Sequence, residues 1–331
     1  MDRLLSLTPE GLYCAAGDFH IDPMRPVHRA VITHGHADHC RAGHAHALAT
    51  PETLAIAAVR YGEDAFGQTQ GLPYGEKIDI GDVTVSLRPA GHVLGSAQIV
   101  IEKDGRREVV SGDYKPRPDP SCAPFEPIEC DLFVTEATFG LPVFRHPPVE
   151  GEIARLLRSR ETFPERCHAV GAYALGKAQR LIMELRRAGY DRPIWLHGAL
   201  TKLCDLYETF DRGLGELRQA TAADAKALTG EIVIAPPGAL ADRWARRLPD
   251  PVIAAASGWM RVRQRAKQRG VELPLVISDH ADWDELTETI LATGASEVWV
   301  THGAEEALCH WCATRGITAR PLSLLGREEE D

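Results

Sequence analysis

No stretch of this 331-residue chain approaches the roughly 20 consecutive apolar residues of a membrane-spanning helix. Residues 1–10 also lack the apolar centre of a secretory signal, so a cytoplasmic protein with no membrane association is expected. Cysteine is sparse. Eight are scattered along the chain, which argues against a disulfide framework, and most read as small apolar packers. Cys309-His310-Trp311-Cys312 has paired spacing, but with no second pair and in a stretch that reads as helix it fits core filling better than a zinc knuckle. Positive charge is in deficit as well. A formal net charge of −10 excludes a protein that coats nucleic acid non-specifically, so any polyanion must bind locally, where divalent metals would offset carboxylates. Internal repeats and low-complexity tracts are lacking, and the acidic end, 328–331, reads as a frayed tail. What remains is a globular chain, 44% hydrophobic and 25% charged, long enough for two domains or one elaborated one.

What the chain does hold is concentrated in Thr33-His34-Gly35-His36-Ala37-Asp38-His39. An apolar run over 27–32 leads into it and reads as a buried strand. If that strand persists to its tip, His34 and His36 share one face, while Asp38 and His39 follow where the chain turns off the sheet. Imidazole and carboxylate suit zinc and its first-row neighbours, so two adjacent metal sites are implied, one on the imidazole pair and one on Asp38 with His39. His44 and His46, just downstream, read as a solvated histidine-rich stretch.

Around this motif the chain has two textures. Gly17-Asp18-Phe19 and Ile21-Asp22-Pro23 place acids just upstream. Downstream, the pattern predicts a helix over 51–61 with proline at its start and strands over 77–80 and 83–88. A hairpin follows whose arms, 97–102 and 108–110, flank Asp104-Gly105. Three strand ends then deliver polar residues after apolar runs: Gly91-His92, Gly112-Asp113, and 132–135 ending at Glu136. After Gly140 strands and helices alternate to about 256, which signals a parallel sheet with crossover helices. Strands ending in histidine return near 273: 275–278 leads to Asp279-His280, and 298–301 to His302-Gly303. The expected fold is α/β in two domains, one formed by 1–144 with 273–331 and the other inserted as 145–272.

His34-x-His36-x-Asp38-His39, the distant His92 and Asp113 together resemble the metallo-β-lactamase superfamily. That resemblance implies an αββα sandwich, two stacked sheets flanked by helices, with a dinuclear metal site on the sheet edges. Glu136 in Thr-Glu-Ala-Thr-Phe-Gly, His280 in Ser-Asp-His-Ala-Asp and His302 in Val-Thr-His-Gly are similar to the three further motifs of its β-CASP nuclease branch, whose inserted α/β cap would be 145–272. Tyr173-Ala174-Leu175-Gly176-Lys177-Ala178-Gln179 and Ser257-Gly258-Trp259-Met260 resemble segments of such caps. Within the branch, the compact chain and Gly17-Asp18-Phe19-His20-Ile21-Asp22-Pro23 look most like the bacterial exonucleases encoded beside a DNA ligase.

Residue by residue, the resemblance gives His34, His36 and His92 to one divalent ion, Asp38, His39 and His302 to the other, and Asp113 to both. Zinc is the ion expected, with manganese as the alternative. The chemistry agrees, because a carboxylate can span cations roughly 3.5–4 Å apart whereas a neutral imidazole serves one. Such a pair acidifies water and neutralises phosphate oxygens, which makes Asp38 a catalytic residue as well as a ligand. Asp18 matches the first acidic motif and is expected to orient ligands from behind, with Asp22 as its rival. Glu136 is expected to hold the tautomer of His280, the general acid. Taken alone, His92 and Asp113 would be turn residues and His302 a core histidine; their company gives them a role. His197 reads as structural.

For nucleic acid, Arg261, Arg263, Arg265, Lys267 and Arg269 alternate with no acid among them, beside Arg243, Arg246 and Arg247. An ordinary solvated helix face is the alternative, and proximity to the cleft expected between the domains favours strand binding. Trp259 could stack a base, and Lys177 could hold a phosphate at a helix head. The function implied is metal-dependent phosphodiester hydrolysis: a DNA exonuclease in DNA repair, acting on nucleic acid and associated with a DNA ligase and a helicase. An RNA-processing nuclease of the same branch is the second reading. A small-molecule hydrolase of lactonase or thioester type needs no long insert between Asp113 and His302, and an inactive binding subunit needs no complete ligand set.

Overall fold

The computed structural model describes residues 3–220 and 225–322, so the acidic end at 328–331 lies outside the described residues. Two compact units divide the chain: Met1–Arg145 with His280–Asp331, and His146–Asp279. Among the described residues no helix is long and apolar enough to cross a membrane.

The first unit holds two sheets. Six strands run in chain order from Leu5–Thr8 to Gln68–Gly71. The other sheet has seven, ordered Thr318–Pro321, Glu297–Gly303, Leu132–Ala137, Arg106–Val110, Ala97–Lys103, Val83–Pro89 and Lys77–Ile80. Alternation along these strands explains the layering. Ile99, Ile101, Leu132, Val134 and Trp299 join Leu12, Phe19, Ile21, Val31 and Leu48 in the core between the sheets. Their sequence neighbours Val100, Phe133, Val298 and Val300 take the opposite face and pack with Trp283, Leu286, Ile290, Leu308 and Cys312, from the helices Trp283–Thr293 and Glu305–Ala313. Strands covered on both faces require unbroken apolar runs, which these have. On the outside of the first sheet Ala30, Ile32, Ala47 and Ala49 meet Leu54, Ala57 and Tyr61 of the helix Pro51–Tyr61. The unit is therefore helix, sheet, sheet, helix.

Local chemistry sets the element ends. Thr50 caps the helix Pro51–Tyr61 by accepting from Thr53 N, with proline in its first turn. Lys103 pairs with Arg106 across Asp104 and Gly105, whose φ values of 50° and 82° are those of a two-residue type I′ hairpin turn. The strand expected over 27–32 is shorter, Arg29–Val31, and the metal motif follows on a loop rather than a strand tip. Thr33 N ends the ladder by donating to the Asp22 side chain at 2.7 Å.

In the second unit Leu217–Gln219, Ile194–Leu196, Ile232–Ala235, His168–Gly171, Val252–Ala256 and Leu273–Leu275 form one sheet in that order, all pairs parallel. The boundary expected at 273 is corrected here. Leu273–Leu275 pairs with Val252–Ala256, residues 276–279 form no strand, and the first unit resumes at His280. Pro274 fits this place because an edge strand can spare an N–H.

Candidate metal centre

The loop at 33–40 is folded on itself and clamped from outside. His39 N and Cys40 N both donate to His36 O, at 3.1 and 2.8 Å. From the last turn of the helix Pro51–Tyr61, Arg60 Nη1 donates to Gly35 O and Tyr61 Oη to Cys40 O, each at 2.8 Å. Two glycines let other chain segments come close enough. Gly91, just before His92, has φ 74°, and a Cβ there would lie 2.3 Å from Lys115 O. Gly112, before Asp113, has φ 57°, and its Cβ would lie 2.7 Å from Thr33 Cβ. His302 arrives differently. Glu136 pairs with Thr301 and Ala137 with Gly303, so His302 is the extra residue of a bulge, at φ 61°, and its side chain is re-aimed out of the strand alternation.

These segments bring the expected donors together. His34, His36, His92 and Asp113 offer atoms within 4.8 Å of one another, and so do Asp38, His39 and His302. Asp113 stands between the groups, its Oδ2 lying 3.5 Å from His34 Nε2, 3.8 Å from His92 Nε2 and 3.4 Å from His39 Nε2. His36 Nδ1 lies 3.2 Å from His34 Nε2 and 3.0 Å from His92 Nε2. Three imidazole nitrogens and a carboxylate oxygen that converge in this way form a donor set that one cation can satisfy together.

Electrostatics favour the same occupant. Burial first, then the neighbouring His39, hold His34 well below the ordinary imidazole range, so it is neutral and can donate a lone pair. Burial alone would raise the Asp38 and Asp113 carboxyls, but the charge and hydrogen bond of His39 pull both below the usual carboxylate range. Asp113 Oδ1 is buried and has no hydrogen-bond partner among the described residues. A dry, unpaired carboxylate oxygen is costly, and a divalent cation removes that cost. The residues fit a divalent metal site.

Asp113, Glu136 and His280 also lie within 4.8 Å of one another, but their closeness has another cause. Glu136 Oε1 accepts from Tyr114 N at 2.8 Å, and the two Glu136 oxygens lie 3.2 and 2.9 Å from His280 Nδ1. A buried carboxylate that accepts from an amide and an imidazole N–H is satisfied without a metal. The His280 ring sits 4.7 Å from that of His92, centroid to centroid.

The acid behind the motif is Asp22. It is 2% exposed, and its Oδ1 accepts from Thr33 N at 2.7 Å while its Oδ2 accepts from Thr33 Oγ1 at 2.6 Å and from His39 Nδ1 at 2.7 Å. Since a carboxylate only accepts, His39 keeps its proton on Nδ1 and turns Nε2 toward Asp38 and Asp113, 3.4 Å from each. Asp18 instead accepts the Tyr13 hydroxyl at 2.7 Å on the surface, so the expectation for Asp18 is overturned. Phe19–Ile21 pairs in parallel with Arg29–Val31, and the residue that ends the first strand, Asp22, meets the start of the motif. Thr33, whose hydroxyl also lies 3.1 Å from His34 Nδ1, was not singled out from the sequence; its position next to the first ligand was the available signal.

Several other expectations change. Lys177 is 4% exposed and its Nζ lies 2.9 Å from Asp279 Oδ2, a buried ion pair rather than a phosphate hook. Trp259 carries the Arg265 guanidinium 4.0 Å above its ring, so that face is not open to a base, and Arg265 itself is half-buried. Arg261, Arg263, Lys267 and Arg269 are exposed. His44 is not solvated: it is buried, accepts from Val27 N at 3.3 Å, and burial pushes it down to about 4. His197 caps the helix Gly198–Thr209 by accepting from Ala199 N, a structural role. Cys309 and Cys312 lie in the helix Glu305–Ala313, with Cys312 buried in the core.

No family-level profile matches the chain. Its fold recurs in the crystal structure of a protein of unknown function from Enterococcus faecalis V583, with a TM-score of 0.58 and 14% identity over 91% of this chain and 80% of that one. "Probable DNA ligase" from Opitutus terrae is 30% identical over 320 residues, 93% of this chain and 30% of that protein. "Ribonuclease TTHA0252" from Thermus thermophilus is 30% identical over 169 residues, 48% of this chain and 38% of that protein. "Endoribonuclease YSH1" from Gibberella zeae is 30% identical over 159 residues, 44% of this chain and 19% of that protein. These similarities to nucleases and to a DNA ligase are consistent with the resemblance of the motifs to the β-CASP branch of the metallo-β-lactamase superfamily. The chain spans well under half the length of each of these three relatives.

The Asp22–His39 contact gives a direct test. Asp22→Ala is expected to weaken divalent-metal affinity by about 10- to 100-fold, the usual effect of losing a group that orients a ligand, while Asp18→Ala leaves it unchanged. Equilibrium dialysis with metal analysis measures both, and equal losses would return Asp18 to contention.

Proposed function

We propose that the chain is a two-metal phosphodiesterase that degrades DNA from an end, with His280 as general acid. The observation that carries this reading is the position of the Asp113 carboxylate, within 3.8 Å of imidazole nitrogens from both donor groups, as a bridge between two ions requires. His34, His36 and His92 would hold one ion and Asp38, His39 and His302 the other, and the nitrogen-rich set suits zinc, with manganese as the alternative. Bound there, divalent cations supply acidification of water and neutralisation of phosphate oxygens. The chain's own residues do the rest. Asp22 and Thr33 fix the tautomers of the ligands, Asp113 sets the spacing, and Glu136 keeps a proton on His280 Nδ1 so that Nε2 is the atom that can hand a proton on.

The second unit is the proposed β-CASP cap. DNA is favoured because the relative matched over 93% of this chain bears the name of a DNA ligase, which also makes ligation the neighbouring reaction. RNA is the second reading, favoured by the ribonuclease names of the shorter matches. Purified protein with zinc or manganese, given end-labelled single- and double-stranded DNA, RNA and a generic lactone, decides between them. Mononucleotides released from DNA are expected, and turnover of the lactone alone would overturn the nuclease reading.

Metal stoichiometry checks the dinuclear assignment. Asp113→Ala is expected to lose both ions and His92→Ala chiefly one, and a wild type that saturates at one ion contradicts it. For the acid, His280→Ala should keep its metals and its substrate affinity while turnover falls about 10²- to 10⁴-fold. Sulfur at the bridging leaving position departs without a proton, so that substrate should restore much of the variant's rate and give the wild type little. Loss of metal, or absence of rescue while the wild type cleaves the sulfur substrate, rules His280 out as the acid. The exposed cations at 261–269 are the proposed strand contacts. Neutralising Arg261, Lys267 and Arg269 is expected to weaken DNA binding and flatten its log–log salt slope by up to about one unit per lost phosphate contact, with metal content unchanged. An unaltered slope makes this segment an ordinary solvated face.

A further inference from the structure

Glu136 orients the His280 ring, but nothing in that one contact fixes the backbone from which the ring hangs. The chain after Asp113 does. Tyr114 uses both its peptide groups: its N–H donates to Glu136 Oε1 at 2.8 Å, and its carbonyl accepts from Ala281 N at 2.8 Å. Lys115 N donates to Ala90 O at 3.0 Å, which ties the same stretch to the turn that carries His92. Further along, Lys115 Nζ is buried against Asp119 Oδ2 at 2.8 Å, and Asp119 Oδ1 accepts from both Ser121 N and Ser121 Oγ, so the loop is stiff.

Arg117 sits within this stiff loop and grips the other side of the His280 turn. Its Nη2 lies 2.7 Å from Asp282 Oδ2 and its Nε 3.0 Å from Glu285 Oε1, while its own N–H reaches Glu285 Oε1 at 3.2 Å. Those carboxylates form the capping box that starts the helix Trp283–Thr293. Asp282 Oδ1 accepts from Asp284 N and Glu285 N, and Glu285 Oε2 accepts from Asp282 N. The side chains of Asp282 and Glu285 are 1% and 10% exposed, and Arg117 bonds to both. Without it two buried like charges face each other, and the box relaxes by opening or by taking up a proton. A planar fork serves both acids from separate nitrogens in one fixed geometry, which a single rotating ammonium does not impose.

We propose that Arg117 is a positioning residue for His280, locking the His280–Asp282 turn to the loop that begins at Asp113 so that proton donor and bridging carboxylate keep one spacing. This rests on the acid role proposed for His280. In that reaction a water loses a proton to solvent and its oxygen forms the new bond to phosphorus, the bond from phosphorus to the leaving oxygen breaks, and the imidazolium form of His280 passes its Nε2 proton to that oxygen, which leaves the Nδ1–H tautomer held by Glu136. A donor displaced by about 1 Å costs on the order of 10²-fold in rate.

The experiment uses the full chain with its metals and an end-labelled oligonucleotide of the sugar that the wild type cleaves, with oxygen or sulfur at the leaving position. Arg117→Met is expected to keep metal content and KM, to lose about 10- to 10²-fold in kcat with oxygen, and to recover most of it with sulfur. Arg117→Lys should fall between; it keeps the charge without the fork and carries the test if the methionine variant does not fold. Arg145→Met is the control, since Arg145 pairs with Asp284 in the same helical turn, but both side chains are exposed. It should behave as wild type. A readout independent of turnover is the ¹⁵N spectrum of the imidazoles, where the His280 signal, assigned by its loss in His280→Ala, should change from a single Nδ1–H tautomer to an average in Arg117→Met. Equal losses on both substrates, loss of metal, wild-type kcat, or an unchanged His280 signal overturns the proposal. If His280→Ala itself is not rescued by sulfur, the acid assignment is what fails, and the imidazole spectrum still decides whether Arg117 holds the ring.

Discussion

A carboxylate with one oxygen buried and without a hydrogen-bond partner among the described residues, Asp113, is the constraint that the first unit is arranged to meet. Burying such a group is tolerable only if cations face it, and ring nitrogens of His34, His39 and His92 converge on its other oxygen. Every segment that reaches it makes a local concession. Gly112 comes so close to Thr33 that any Cβ would collide, Gly91 does the same against Lys115, and the strand Glu297–Gly303 gives up its regular ladder to release His302. None of these devices adds to the stability of the sandwich. The apolar core between the two sheets is extensive enough to hold them in place.

Net charge sets a second condition. At −10, the chain repels any polyanion at long range, and the proposed site adds carboxylates of its own. Attraction therefore has to be local. Divalent ions at the donor groups would reverse the sign where a phosphate reacts, and the exposed cations at 261–269 would do so where a strand is held. Buried cations do not contribute in this way. Lys177 and Lys115 are each spent on an aspartate, as a buried ammonium must be.

Much of the clustering of candidate donors was legible in the sequence because they are locally encoded: His34, His36, Asp38 and His39 fall in one loop, and His92 and Asp113 each follow a glycine. The helix Pro51–Tyr61 and the Asp104-Gly105 hairpin were legible for the same reason, since cap and turn chemistry act over a few residues. Failures came where a partner distant in sequence decides. Asp18 and Asp22 look alike in sequence, with φ of 49° and 45°, and only the pairing of Phe19–Ile21 with Arg29–Val31 sends the second to the motif. Lys177 meets Asp279 across 102 positions, and Leu273–Leu275 is claimed by a parallel neighbour that its own pattern does not name. His302 was found through its motif, although the bulge that aims it cannot be read from alternation, which would send it to one face of the strand.

His39 and His280 carry the same device, a buried carboxylate on Nδ1, from Asp22 in one case and Glu136 in the other. In both rings the bond leaves Nε2 as the working atom, so orientation alone does not separate a ligand from an acid. The difference lies in what else is available. His39 Nε2 stands 3.4 Å from each of two ionised carboxylates, a concentration of negative charge that one imidazole cannot answer and a cation can. On the two-metal reading, three terminal donors and a shared carboxylate would complete each ion, and a further imidazole at His280 would add nothing to coordination. On that same reading, a ring held by Glu136 beside the donor groups would have a proton to give where a leaving oxygen needs one.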